Sequence, residues 1–448
     1  MKSNFDLRSL KTHLVILTGL FVLVVSFAGI APAQSDAEKL VTEYDVNGLK
    51  VLVKRRAGTP TVSAGLFIRG GSRNLTPATA GIENFMLDVA TEGGKQFPRD
   101  VLRKEIARTG TQLGAGSNRD FSAISLGCTK QNFDTSWKMF TDVALSPAFD
   151  PSDVERIRGN IINGLRSQTD SPDAALQDRV DRSVYAGHPY ANDPDGTIDN
   201  VTRFKAADLA AYHKQVMQTS RLLLVVVGDV DPANIQKLAA AAFGNLPRGT
   251  YKDAALPPLD FSKGSLDIDN KAVQTDYVEG SFAAPSIGDP DYYAMRVAVS
   301  ILQTQVYQEV RTKRNLSYAP DAALNTAAAN SGFIYVTSTD PNRSVGVMLD
   351  CIRELRNNDV TPDVIRQYGS FFLTTYYLAQ ETNAAQGAEL ARYELYGGGW
   401  RRSFEFLDRI RQVKPADVQN VSDKYMRNLR FVFVGNAANI NRSIFLQN

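Results

Sequence analysis

Apolar and polar positions divide the chain into short alternating runs, longer amphipathic runs, and breaks marked by proline or glycine. Alternation with period two predicts strands. Thr42–Val46 and Leu49–Lys54 flank an Asn47-Gly48 turn, and Thr61–Arg69 puts Val62, Ala64, Leu66 and Ile68 on one face. Helical spacing follows over Thr79–Ala90 and Pro98–Thr109, and then Gln112–Gly116 and Phe121–Cys128 read as a strand pair. Further helical runs lie at Phe133–Ser146, Ser152–Ser167, Pro172–Tyr185 and Ala207–Met217. Arg221–Val227 is a continuous Leu/Val run, the pattern of a strand covered on both faces, and a helix over Asp231–Phe243 follows it.

Residues 246–264 are rich in proline and polar residues and mark a linker. Beyond it the plan repeats. Strands are predicted at Gln274–Ser281, Tyr318–Ala327 and Gly332–Thr339, with a long amphipathic helix over Tyr292–Lys313. Helices are predicted at Arg343–Asn357, Pro362–Ala388, Arg402–Val413 and Pro415–Tyr425. Phe431-Val432-Phe433-Val434-Gly435-Asn436 echoes Leu224-Val225-Val226-Val227-Gly228-Asp229: a buried strand after a helix, ending in Gly and a short polar residue. The expected fold is α+β, in two related domains over 34–245 and 265–448, each a mixed sheet packed with helices.

The first 33 residues stand apart. Lys2, Arg8 and Lys11 precede an apolar run from Leu14 to Ile30, and Ala31-Pro32-Ala33 fits a small-residue cleavage site. This reads as a secretory signal peptide over 1–33, with an uncleaved membrane anchor as the alternative. The protein is therefore expected in the periplasm, without stable membrane insertion once the segment is removed.

Composition adds exclusions. Apolar residues make up 43% of the chain and charged residues 22%, ordinary for a globular protein. There are 50 Lys and Arg against 48 Asp and Glu; the leader holds three and one of these, leaving 47 of each. No basic excess points to nucleic acid. Cys128 and Cys351 are far apart in sequence; an exported protein can pair such cysteines, but two buried free thiols is the simpler reading. His13 lies in the leader. His188 and His213 are too far apart for a helical or hairpin ligand pair, so each is expected to be structural or solvated.

The stretch Gly81–Asp88 carries the candidate chemistry through what it lacks. Asn84 and Asp88 are four apart on a helical run and share one face, with Leu87 beside them. The same geometry serves the two ligands and the base of a His-x-x-Glu-His zinc peptidase motif.

Leu66-Phe67-Ile68-Arg69-Gly70-Gly71-Ser72-Arg73, then Gly81-Ile82 and Phe85, then Glu92-Gly93-Gly94, resemble the N-terminal signature of the pitrilysin/insulinase-type zinc peptidases. So do Gly110 through Gly116 with Asp120-Phe121-Ser122, Leu145-Ser146-Pro147-Ala148-Phe149, His188-Pro189-Tyr190 and Val227-Gly228-Asp229. Arg311 and Tyr318, seven apart, resemble the family's arginine–tyrosine segment. The resemblance implies two homologous α+β domains. It also implies a zinc site of His-x-x-Glu-His plus a distal Glu, from which this chain departs. Asn84 and Asp88 hold the ligand positions and Leu87 the base position. From Gly159 to Thr169, where the distal acid should fall near Ile162–Leu165, there is no acid at all. An amide is a poor zinc ligand, and a leucine cannot accept a proton from water. No metal is expected in this chain.

In the bacterial two-subunit branch of the family one subunit carries zinc and the other the Arg–Tyr pair, and this sequence is similar to the second kind. The resemblance then implies a homologous zinc-bearing partner subunit, an unfolded peptide substrate, and roles in trans for Arg311 and Tyr318 in substrate binding and oxyanion stabilisation. The alternative is a structural or peptide-binding scaffold with no part in hydrolysis.

Overall fold

Asn47 and Gly48 both take positive φ (52° and 89°), the backbone of a tight hairpin turn. They join β1 (Val41–Val46) to β2 (Leu49–Arg55), the start of a computed structural model that describes residues 37–167, 171–357 and 360–446. The leader read at residues 1–33 lies outside them. Among the described residues no helix is long and apolar enough to cross a membrane.

The first half continues with β3 (Thr61–Arg69), α1 (Ile82–Ala90), α2 (Arg99–Thr109), β4 (Gln112–Ser117) and β5 (Phe121–Thr129). Then come α3 (Phe133–Leu145), α4 (Pro151–Ser167), α5 (Pro172–Val184), α6 (Ile198–Arg203), α7 (Ala206–Val216), β6 (Leu222–Gly228) and α8 (Pro232–Phe243). The second half holds β7 (Ser265–Asn270), β8 (Asp276–Ala284), α9 (Tyr292–Val306), β9 (Asp321–Leu324), β10 (Asn330–Ser338), α10 (Pro341–Arg356) and α11 (Pro362–Ala379). It ends with α12 (Asn383–Tyr396), α13 (Phe406–Gln412), α14 (Pro415–Tyr425), β11 (Arg430–Gly435) and α15 (Arg442–Leu446).

The strands form two sheets, ordered β1-β2-β6-β3-β5-β4 and β7-β11-β8-β10-β9. Without β1 the two orders correspond strand for strand. In each, one parallel pair (β2 with β6, β7 with β11) adjoins antiparallel neighbours. The repeated Val-Gly-Asx strand ends are β6 and β11, which occupy equivalent places. The fold is α+β, as the pattern predicted.

Both repeated strands are covered on two faces because the halves exchange a helix. Leu222, Leu224 and Val226 of β6 face the first core, with Phe85, Phe140 and Leu209. Leu223, Val225 and Val227 point the other way, onto Leu390 and Ala391 of α12 and onto Trp400, all from the second half. Reciprocally, Phe431 and Phe433 of β11 enter the second core, whereas Val432 and Val434 meet Leu176, Val180 and Val184 of α5, from the first half. Polar bonds reinforce the clasp: Lys50 Nζ lies 2.6 Å from Glu394 Oε1, and Trp400 Nε1 donates to Glu43 Oε2 at 2.7 Å.

Three expectations for the second half are corrected, and one strand is added to them. The added strand is β7, for which no element was predicted, because its Ser-Leu-Asp-Ile-Asp-Asn sequence gives a half-exposed edge strand with few apolar residues. The strand predicted over Tyr318–Ala327 is confined to β9; Pro320 has no N–H for the ladder, so Tyr318 stays in the loop before it. The single helix predicted over Pro362–Ala388 breaks after Ala379. Thr382 caps a new helix by accepting from Ala385 N at 3.0 Å, and α12 then runs on to Tyr396. The helix predicted over Arg402–Val413 starts as a 3₁₀ turn at Trp400–Glu405 and becomes α-helical only at Phe406.

Candidate functional site

Helix α1 is set by its first residues. Gly81 caps it with φ 90° and packs against Gly196; a Cβ there would lie 2.8 Å from the Gly196 Cα. Glu83, wholly buried, then ties the helix to three other elements. It accepts hydrogen bonds from Ser122 Oγ on β5 and from Tyr212 Oη on α7 (2.5 Å), and pairs with Arg221 Nη2 just before β6 at 3.2 Å. This anchor was not singled out in the sequence. Its signal is an acidic residue among apolar neighbours at a helix start.

The three motif positions diverge. Asn84 is half-buried and donates from Nδ2 to Asp195 Oδ1 at 3.1 Å. Leu87 has no exposed surface and packs in the first core. Asp88 is half-buried, and its carboxyl is pushed up to about 6, first by burial and then by the nearby charges of Asp195 and Glu92. Burial likewise raises Asp195, with Asp193 adding to it.

Helix α4 lies beside α1, with the Arg158 guanidinium 5.2 Å from the Phe85 ring centre. Ile162 and Leu165, where the distal acid was sought, pack half-buried against the same core as Leu87. Among the described residues no group of three or more His, Cys, Asp or Glu could hold a metal ion. The residues around α1 therefore do not fit a zinc site: an amide, a core leucine and one carboxyl stand where two imidazoles and a base are needed.

A cavity of about 670 Å³ opens next to the start of α1, lined in part by Ala80, Leu165, Tyr190 and Gly196. Its basic residues Arg119, Arg179, Arg182 and Lys271 each pair with an aspartate, and neither Arg311 nor Tyr318 lines it. His188 and His213 bind backbone. His188 Nδ1 accepts from Tyr190 N, and its Nε2 lies 2.9 Å from Pro257 O; His213 Nε2 lies 2.9 Å from Ala144 O. Cys128 and Cys351 are buried and unpaired.

Arg311 and Tyr318 do meet. α9 runs into a π-helical turn, Tyr307–Thr312, closed where Lys313 N donates to Gln308 O at 2.9 Å. Asn315, at φ 51°, reverses the chain, and Ser338 Oγ pins the following loop by donating to Leu316 O at 2.9 Å. Tyr318 projects from that loop with 80% of its surface exposed. The Arg311 guanidinium lies over its ring, 4.1 Å from the centroid, and over the Tyr307 ring at 5.0 Å.

Two sheets of one topology, clasped by exchanged helices, with a helix in the place of a zinc-peptidase motif, define a two-domain protein of the insulinase-type peptidase class. Residues 50–197 match the sequence model of the family described as Insulinase (Peptidase family M16), and residues 203–368 match that described as Peptidase M16 inactive domain. The chain belongs to the M16 peptidase family.

Among its relatives is the mitochondrial cytochrome b-c1 complex subunit 1 of Bos taurus, 26% identical over 272 residues. That match covers 60% of this chain and spans only 56% of the relative's length. The fold is similar to the peptidase M16 inactive domain from Pseudomonas fluorescens, with a TM-score of 0.81 and 19% identity over 89% of this chain and 98% of that one. It is also similar to the first half of the periplasmic protease PqqL from Escherichia coli, with a TM-score of 0.76 and 16% identity over 91% and 96%.

Proposed function

We propose that this chain is the non-catalytic subunit of an exported heterodimeric zinc metalloendopeptidase, and that it supplies Arg311 and Tyr318 in trans to a homologous subunit carrying His-x-x-Glu-His. One observation carries the reading. The motif helix holds Asn84, Leu87 and Asp88, whereas Arg311, on its π-helical turn, lies over the ring of Tyr318, which projects from an exposed loop.

The partner's zinc would supply the activated water, and an unfolded peptide would lie in extended form along the partner's sheet edge. The Tyr318 phenol would donate a hydrogen bond to the oxyanion of the tetrahedral intermediate. Arg311 would hold the substrate carbonyl. One oxyanion donor is typically worth on the order of 10²–10³ in rate. The leader-like segment at 1–33 supports a periplasmic location, in keeping with the periplasmic protease PqqL, whose first half shares the fold. A chain anchored by that segment is the alternative.

The test is to mix the purified chain with a His-x-x-Glu-His subunit and follow cleavage of a quenched fluorogenic peptide. The chain is expected to raise the rate, and Tyr318→Phe to lower that of the mixture by about 10²-fold or more. An unchanged rate with Tyr318→Phe removes the role in trans.

Likeness to a cytochrome b-c1 complex subunit favours a second reading, a scaffold without a part in hydrolysis. On that reading the chain binds its partner but leaves the rate of cleavage as it was.

A further inference from the structure

The arginine of the exposed pair has a second aromatic neighbour. Tyr307 opens the π-helical turn in which Arg311 sits, four residues ahead of it, and its ring centre lies 5.0 Å from the guanidinium. Wide turns of this kind are rare and often occur at functional sites. The cations around Arg311 are already engaged: Glu309 pairs with Lys313 Nζ at 2.5 Å and also with Arg314. Among the described residues no carboxylate or carbonyl takes a hydrogen bond from the Arg311 guanidinium. Its guanidinium carbon instead lies over the Tyr307 and Tyr318 rings, at 5.0 Å and 4.1 Å from their centres. Tyr307 is itself 41% exposed, so its ring does not serve chiefly to fill the core.

We infer that Tyr307 is a positioning residue: its ring face fixes the Arg311 guanidinium over Tyr318, so that the N–H edges are presented in advance to a peptide carbonyl. The function of this arrangement rests on the reading in trans given above. The physical reason is that a free arginine samples many rotamers, and ordering it costs binding free energy. An exposed cation–π contact removes part of that cost. Its size corresponds to about a two- to fivefold change in equilibrium. The face of the ring carries the effect and the hydroxyl does not, so phenylalanine should substitute for Tyr307 where leucine should not.

Two measurements test this. In the isolated, ¹⁵N-labelled chain, the Nε–H resonance of Arg311, assigned by its loss in Arg311→Lys, is expected to be shifted by the ring currents of Tyr307 and Tyr318. Tyr307→Leu is expected to move it toward the position of a solvated arginine, and Tyr307→Phe to leave it in place. A signal that ignores Tyr307→Leu overturns the inference.

In the mixture with the His-x-x-Glu-His subunit, Tyr307→Leu should raise KM for the fluorogenic peptide by about two- to fivefold with kcat little changed. It should have no further effect in an Arg311→Ala background. An equal effect in that background, or a Tyr307→Phe variant as impaired as Tyr307→Leu, also overturns it. If Arg311→Ala and Tyr318→Phe leave the rate untouched, the reading in trans fails instead, and the resonance still decides whether Tyr307 holds Arg311.

Discussion

The carboxylate of Glu83 and the guanidinium of Arg221 meet 3.2 Å apart inside the first half, with no exposed surface on the first side chain and little on the second. Arg221 also donates from Nε to Arg69 O at 3.0 Å and lies over the Tyr251 ring. Removing one charge from such a pair strands the other without solvent. Arg221→Met is therefore expected to cost about 3–5 kcal/mol in urea unfolding. Replacing both residues with methionine should recover much of that loss, because two apolar side chains leave no buried charge. A double variant as unstable as the single one would show that the pair matters for packing rather than charge.

Gly81 and Gly196 touch back to back. Both have positive φ, and a Cβ on Gly196 would lie 2.6 Å from Ala80 O. Gly81→Ala and Gly196→Ala should each destabilise the protein, with about 1–2 kcal/mol from the left-handed backbone alone and more from the clash. Thermal unfolding checks this. The same assay on Gly110→Ala, where φ is also positive but nothing lies within reach, isolates the backbone contribution.

Asp88 makes stability depend on pH in a stated direction. Its folded carboxyl titrates near 6, above the usual carboxylate value of 3.8. The folded state therefore holds the proton more tightly than the unfolded chain. The contribution is most favourable below about pH 4 and is lost as pH rises through 6, by at most roughly 3 kcal/mol. Asp88→Asn should flatten the melting temperature between pH 4 and 7 and raise it at the upper end. An unaltered pH profile would place the titration elsewhere.

Zinc content follows from the residues at the motif positions. Dialysed against zinc and then buffer, the pure chain should retain well under one ion per molecule by atomic emission. Restoring the motif with Asn84→His, Leu87→Glu and Asp88→His should not create a peptidase, since position 87 points into the core and Ile162 and Leu165 supply no acid. One zinc per chain in the unaltered protein would overturn the proposed function.

The exchanged helices should make the two halves unfold together. Leu390→Ala, at the contact of α12 with the first sheet, is expected to cost about 2–5 kcal/mol. Hydrogen exchange should then quicken in β3 and β10 alike. Faster exchange confined to the second half would mean that the clasp does not couple them.

The sequence by itself determined what neighbouring residues decide. Period-two and helical spacing placed most elements of the first half within a residue or two, since each needs only its own amphipathic pattern to choose strand or helix. The Leu/Val run at β6 announced a strand buried on both faces, and all seven of its residues are buried. That Asn84, Leu87 and Asp88 are not two zinc ligands and a base was legible because chemistry is carried by residue type.

What the sequence could not say is which distant surface covers each face. That α12 crosses to β6 and α5 to β11, that Asn84 bonds Asp195, and that Glu83 meets Arg221 all depend on contacts between segments over a hundred residues apart. The loop holding Tyr318 was read as strand because its alternation fits one, and the missing N–H of Pro320 prevails only once the neighbouring strand is in place. Tyr307 is the middle case. It stands four residues from Arg311 in plain view, but only the folded turn and the return of the chain through Asn315 bring both tyrosine rings to one guanidinium.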